Sequence, residues 1–146
     1  CSSDLSRILD RFLAINSSND PAYVAAKSFM DSKGVQSVTD ALNNEFAGIV
    51  AEKYYKAVKE AVMKVDDKLL YLGTRLHGTP KYMEGVMRAA GKYCDVISIN
   101  YYSRWSPELT TAIADWASWA DKPFLVSEFY TKGVEDSDLN NQSGAG

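Results

Sequence analysis

The chain has 146 residues, 46% of them hydrophobic and 12% aromatic. That is enough for one core, too few for two ordinary domains, and short of the roughly 250 residues of a complete eight-fold (β/α) barrel. Sixteen Lys and Arg against 19 Asp and Glu leave an interspersed net charge of −3, which argues against sequence-independent nucleic-acid binding.

No apolar run approaches the roughly 18 residues of a membrane span. No charged and apolar leader opens the chain, although one could lie upstream. The two cysteines, Cys1 and Cys94, are too few for a disulfide framework. Cys94, within Tyr93-Cys94-Asp95-Val96, reads as a buried thiol. Cys1 followed by Ser-Ser-Asp could be read as the first residue of a processed lipoprotein.

Leu5, Ile8, Leu9, Phe12 and Leu13 recur at helical spacing. Asn16 to Asp20 is a polar turn. Asp20-Pro21 is a helix start, Val24, Ala25, Phe29 and Met30 form its apolar stripe, and Gly34 stops it. Ser37 to Val65 is the longest helical stretch, with a break expected near Asn43-Asn44. Leu69 to Thr74 has strand length. Thr79-Pro80 opens a helix that carries Tyr82, Met83, Val86, Met87 and Ala90 and ends at Gly91.

Asp95 to Asn100 is a second strand. Ser106-Pro107-Glu108 opens a helix with Leu109, Ile113, Trp116 and Ala117 on one face. Phe124 to Glu128 is a third strand, and alternation puts Phe124, Val126 and Glu128 on one side. The order β-α-β-α-β calls for parallel strands joined by right-handed crossovers. The expected division is therefore a helical segment over 1–66, a βαβαβ unit over 67–130 and a polar strand-end loop over 131–146, together one incomplete domain.

Parallel α/β folds place their chemistry at the carboxyl ends of strands. Those ends read Gly73-Thr74-Arg75-Leu76-His77-Gly78, then Asn100-Tyr101-Tyr102-Ser103-Arg104-Trp105, then Ser127-Glu128-Phe129-Tyr130. Glu128 could serve as a nucleophile or general base, or be an ordinary strand-end carboxylate capped by a basic neighbour. Tyr101 or Tyr102 could hydrogen-bond it, or pack. Arg75, His77 and Asn100 could contact a polar substrate. Trp105 could stack on a sugar, while Trp116 and Trp119 suit a core.

Other chemistries lack their parts. One histidine and two distant cysteines do not build a Cys/His zinc site. Gly73 to Gly78 has phosphate-loop spacing, but Thr79-Pro80 follows in place of Lys-Ser/Thr. No Gly-x-Ser-x-Gly elbow occurs. No metal or cofactor is expected.

With these residues in view, the chain resembles the barrel glycoside hydrolases of the large retaining clan, agarase-like enzymes above all. The resemblance runs through Glu52-Lys53-Tyr54-Tyr55, Leu70 to Gly78, Asp95 to Tyr102, Lys122 to Tyr130, and the tail residues Lys132-Gly133, Asp136-Ser137, Asn140 and Ser143 to Gly146. It covers about two thirds of the chain, and the order and spacing of the motifs carry it. It implies part of a (β/α)8 barrel, about strands five to seven, with three parallel strands and flanking helices preceded by the helical segment.

On that resemblance Glu128 matches the nucleophile, Tyr101 or Tyr102 its neighbour, and Arg75 and His77 substrate contacts. The acid/base would be a Glu after an Asn at the fourth strand end. Asn44-Glu45 is the only such dipeptide and lies in a helical pattern. Cys1 then falls just after the fourth strand, an internal position, which displaces the lipoprotein reading. The implied parent is a secreted, periplasmic or cell-surface bacterial enzyme acting on a polysaccharide, an agar-type β-galactan among the candidates. The alternatives are a non-catalytic carbohydrate-binding or interaction module derived from such a barrel, and an independent doubly wound domain. Open strand edges imply self-association.

Overall fold

A computed structural model describes residues 5–102 and 108–129. Its elements begin with a short 3₁₀ turn, Leu5–Arg7, running into α1, Ile8–Leu13. Helix α2, Pro21–Lys33, starts where the Asp20 carboxylate accepts the Ala22 N–H. It ends at Gly34, which takes the left-handed conformation (φ 64°). Helix α3, Asp40–Val65, is capped by the Thr39 hydroxyl, which accepts the Leu42 N–H.

The break expected at Asn43-Asn44 is not there. Both asparagines find partners outside the helix, which offsets their poor helical propensity. Asn43 Oδ1 accepts the Leu9 N–H at 3.1 Å, and its amide donates to the Asp10 carboxylate at 3.0 Å. Asn44 Oδ1 accepts the Gly85 N–H at 3.2 Å. One side chain thus ties α3 to α1 and the next ties it to the following helix.

After α3 comes a 3₁₀ turn, Thr79–Tyr82, then α4, Glu84–Tyr93, β1, Ile97–Tyr101, α5, Glu108–Ala120, and β2, Phe124–Phe129. The strands are parallel, as a helical crossover requires. The sheet has two described strands where three were expected. Leu69 to Thr74 is not one. The chain there meets β1 only at a single parallel bridge, Leu76 to Ile99.

Gly73 supplies the physical reason. Its φ of 68° turns the chain out of the extended region. A Cβ there would lie 2.6 Å from Cys94 Sγ and 3.1 Å from the Tyr55 ring. Leu69 and Leu70, ahead of it, are exposed, so no packing face holds them in a ladder. Apolar composition suggested a strand, but the backbone at Gly73 interrupts it.

Two further expectations are corrected. Helix α4 does not stop at Gly91 but runs to Tyr93. The glycine is there for proximity: a Cβ on it would lie 2.2 Å from the Ala120 carbonyl oxygen of α5. The buried face of α5 carries Ala112, Trp116, Trp119 and Ala120, while Ile113 and Ala117 are exposed. Docking of Ala120 onto Gly91 sets that rotation. Trp116 is fully buried, 5.9 Å from the Phe124 ring and 6.0 Å from the Tyr82 ring. The tail from Tyr130 onward, Cys1 and Trp105 lie outside the described residues.

The core runs continuously from Ile8 and Leu9 through Phe29, Phe46 and Tyr55 to Met87, Ile97, Ile99 and Trp116. Cys94 is buried in it, and burial pushes its thiol pKa up to about 11. At the amino end of β1, Asp95 binds Lys59 Nζ at 2.6 Å and the Tyr71 N–H at 2.8 Å. The Lys59 ammonium, then the Tyr71 amide, hold its carboxyl below the usual range. A depressed folded pKa means stability present above the unfolded value of about 3.9 and lost as pH falls through the folded one. Asp95→Asn should therefore cost about 1 kcal/mol at pH 7, the partly exposed pair being screened by solvent, and less at pH 2. Parallel urea titrations at the two pH values measure it, and an equal loss at both would contradict it. No helix of the described residues is long and apolar enough to cross a membrane.

Candidate active site

The carboxyl ends of β1, β2 and the Leu76 segment converge on a cavity of about 850 Å³. Thr74, Arg75, His77, Asn100, Tyr102 and Glu128 form its polar wall. Leu5, Val50, Ala51, Tyr54 and Val86 form its apolar wall. Four strand-end residues expected from sequence to meet a substrate, Arg75, His77, Asn100 and Glu128, are thus brought together with Tyr102.

Glu128 reaches the cavity through a register slip. Ile97 pairs with Phe124 and Ile99 with Val126, but Asn100 pairs with Glu128. Ser127 is the extra residue of a bulge in β2. Its hydroxyl shares a hydrogen bond with that of Ser98 at 2.5 Å. Simple alternation would leave Glu128 in the Phe124–Val126 series. The slip sets it opposite Asn100, and its carboxylate pairs with the Arg75 guanidinium. Side-chain exposures of 60% for Arg75 and 37% for Glu128 place that pair at the cavity mouth.

The His77 and Tyr102 rings meet edge to face, with centroids 5.6 Å apart. Asn100 is 7% exposed, and its Oδ1 has no hydrogen-bond partner. Asn100 thus lines the cavity while its Oδ1 is out of solvent contact and leaves a hydrogen bond unmade. Tyr101, by contrast, is buried away from the cavity lining and packs against Lys81.

No protein-family model and no curated protein matches this chain. Among solved structures, the crystal structure of BpGH50 matches 94% of the chain at 59% identity and a TM-score of 0.82. The chain is agarase-like. An exo-beta-agarase matches 69% of it at 31% identity and TM-score 0.53. The agarase AgWH50C matches 84% at 26% identity and TM-score 0.59. This agarase-like chain spans 31%, 13% and 18% of those three chains, respectively.

Glu45, of the only Asn-Glu pair, sits on α3 and pairs with Lys33 at 2.5 Å, away from the cavity. Glu128 is the only carboxylate among the described lining residues. Two features escaped sequence reasoning. Tyr54 lines the cavity from a helix face that reads as ordinary amphipathic pattern. Lys81 is 7% exposed, its Nζ donating to the Asn100 carbonyl at 2.9 Å. A lone lysine after Thr-Pro carries no periodic signal that separates it from a solvated one.

Proposed function

We propose that this chain carries the nucleophile half of a retaining glycoside hydrolase site acting on a β-linked, agar-type galactan, within part of a (β/α)8 barrel. The observation that carries the reading is the placement of Glu128. A strand-end carboxylate faces Asn100 across a bulge and pairs with Arg75 in a cavity shared with His77 and Tyr102. The similarity to agarases supports the substrate class. A polysaccharide substrate points to a parent that acts outside the cytoplasm.

In this reading a Glu128 oxygen attacks the anomeric carbon as the bond to the leaving oxygen breaks. The leaving oxygen takes a proton from a second carboxyl, which such chemistry places about 5–5.5 Å from the nucleophile. Water then cleaves the glycosyl ester. Arg75 orients the carboxylate, and Asn100 belongs to the wall the sugar meets. Trp105, also expected to meet sugar, falls outside the described residues.

A sugar with a fluoride leaving group needs no general acid, so it tests the nucleophile alone. Incubation with 2-deoxy-2-fluoro-β-galactosyl fluoride should add one glycosyl group on Glu128, located by peptide mass mapping. Label on another residue would overturn the assignment. A second reading, a binding module without turnover, draws on Glu128 being the sole carboxylate of the described lining. It predicts agaro-oligosaccharide binding with no adduct.

Leu125 and Phe129 are exposed on β2, and β1 is its only described strand neighbour. Such edges recruit further chains. Light scattering should give a mass above that of one chain. A concentration-independent single-chain mass would rule this out.

A further inference from the structure

Lys81 is a buried ammonium with no carboxylate paired to it among the described residues. Its Nζ lies 5.2 Å from the ring centroids of both Tyr82 and Tyr101. Cation–π contacts of this kind return part of the lost hydration. Removing an ammonium from water still costs several kcal/mol, and apolar replacement of buried charge is often neutral or stabilising. Stability alone therefore does not account for the residue.

The hydrogen-bond pattern shows what it does. The Leu76 N–H donates to Ser98 O at 3.0 Å, and the Asn100 N–H donates to Leu76 O at 2.9 Å. A parallel ladder continued one step would bring the Gly78 N–H to the Asn100 carbonyl. Instead the chain turns off at Gly78 (φ 63°) into the 3₁₀ turn. Lys81 Nζ occupies the donor position that the ladder vacates. Asn100 is also the residue that the register slip sets opposite Glu128.

We propose that Lys81 is a positioning residue for the Glu128 carboxylate, acting through the Asn100 carbonyl at the end of β1. This rests on the reading of Glu128 as nucleophile. By extending the ladder with a side chain, Lys81 fixes the end of β1 while the backbone leaves to form the cavity wall with Arg75 and His77. Asn100 itself stays in the cavity wall. Burial also lowers the Lys81 pKa, the cost expected of an ammonium kept for its geometry.

The test is Lys81→Met, which keeps the length without charge or donor, in the full chain. Labelling with 2-deoxy-2-fluoro-β-galactosyl fluoride separates the inactivation rate constant from the binding constant. The expected result is an inactivation rate constant about ten- to a hundredfold lower, an unchanged binding constant and an unchanged unfolding midpoint. Unchanged labelling, or a fall only in the midpoint, overturns the proposal. If Lys81→Met does not fold, Lys81→Gln carries the same comparison, its amide being one bond short of the carbonyl. If the unsubstituted chain takes no label, the nucleophile reading fails by itself. The positioning contact is then read from amide NMR: Lys81→Met should shift Asn100, Tyr101 and Glu128, and an unmoved Glu128 overturns it.

Discussion

Gly91→Ala destabilises the chain by about 2–3 kcal/mol and lowers Tm by roughly 6–12 °C. In an open helix the same change stabilises by about 1 kcal/mol through propensity. Here the new Cβ would sit 2.2 Å from the Ala120 carbonyl oxygen, 2.7 Å from its Cα and 2.8 Å from its carbonyl carbon. Those are backbone atoms, so no rotamer relieves the clash. Helices α4 and α5 must separate, and Trp116 lies buried between α5 and β2 beside Phe124. Thermal melts followed by far-UV circular dichroism measure the effect. A midpoint that rises would show that the two helices do not approach as described.

Glu128→Gln has the largest expected chemical effect. The amide keeps the shape but is a very poor nucleophile, so the rate of glycosyl transfer to residue 128 falls on the order of 10³-fold or more. Stability should barely change, because exposed ion pairs such as Arg75–Glu128 contribute about 0–1 kcal/mol. Time-resolved intact-mass measurement with the fluorosugar gives the rate, and a urea titration gives the control. If the adduct forms at the same rate on Glu128→Gln, the nucleophile lies elsewhere. If neither form is labelled yet both bind agaro-oligosaccharide, the binding-module reading stands in its place.

Much of the helical framework was legible because its signals are local. Asp20-Pro21 and Gly34 bound α2 by capping and backbone chemistry that act within a few residues. The apolar spacing from Leu5 to Leu13 and from Phe46 to Val62 needs no partner to be read. What sequence reading missed depends on contacts across the fold. Asn43 looks like a helix breaker until Leu9 and Asp10 are beside it. Leu69 to Thr74 looks like a strand until Gly73 is seen turning against Cys94 and Tyr55.

The strand-end rule brought Arg75, His77, Asn100 and Glu128 to notice, and the cavity gathers them. It did not distinguish Tyr101 from Tyr102. That choice turns on one step of a ladder: Tyr101 remains on β1, and Tyr102 lies just past its end. Lys81 was illegible for the same reason. Its partner is a backbone carbonyl, which no residue type announces.

The spare residue in β2 makes chain length itself a determinant of chemistry. Deleting Ser127 would give a strand that matches β1 step for step, a more regular object by any local measure. It would leave Glu128 opposite Asn100; pairing Ser127 into the ladder is what would draw the carboxylate one pleat along, opposite Tyr101. Substitutions along β2 can be absorbed singly by repacking. A residue added between Val126 and Glu128 cannot, because unless the bulge widens it carries the carboxylate past Asn100 to another register position. This short stretch should tolerate changes of spelling far better than added residues.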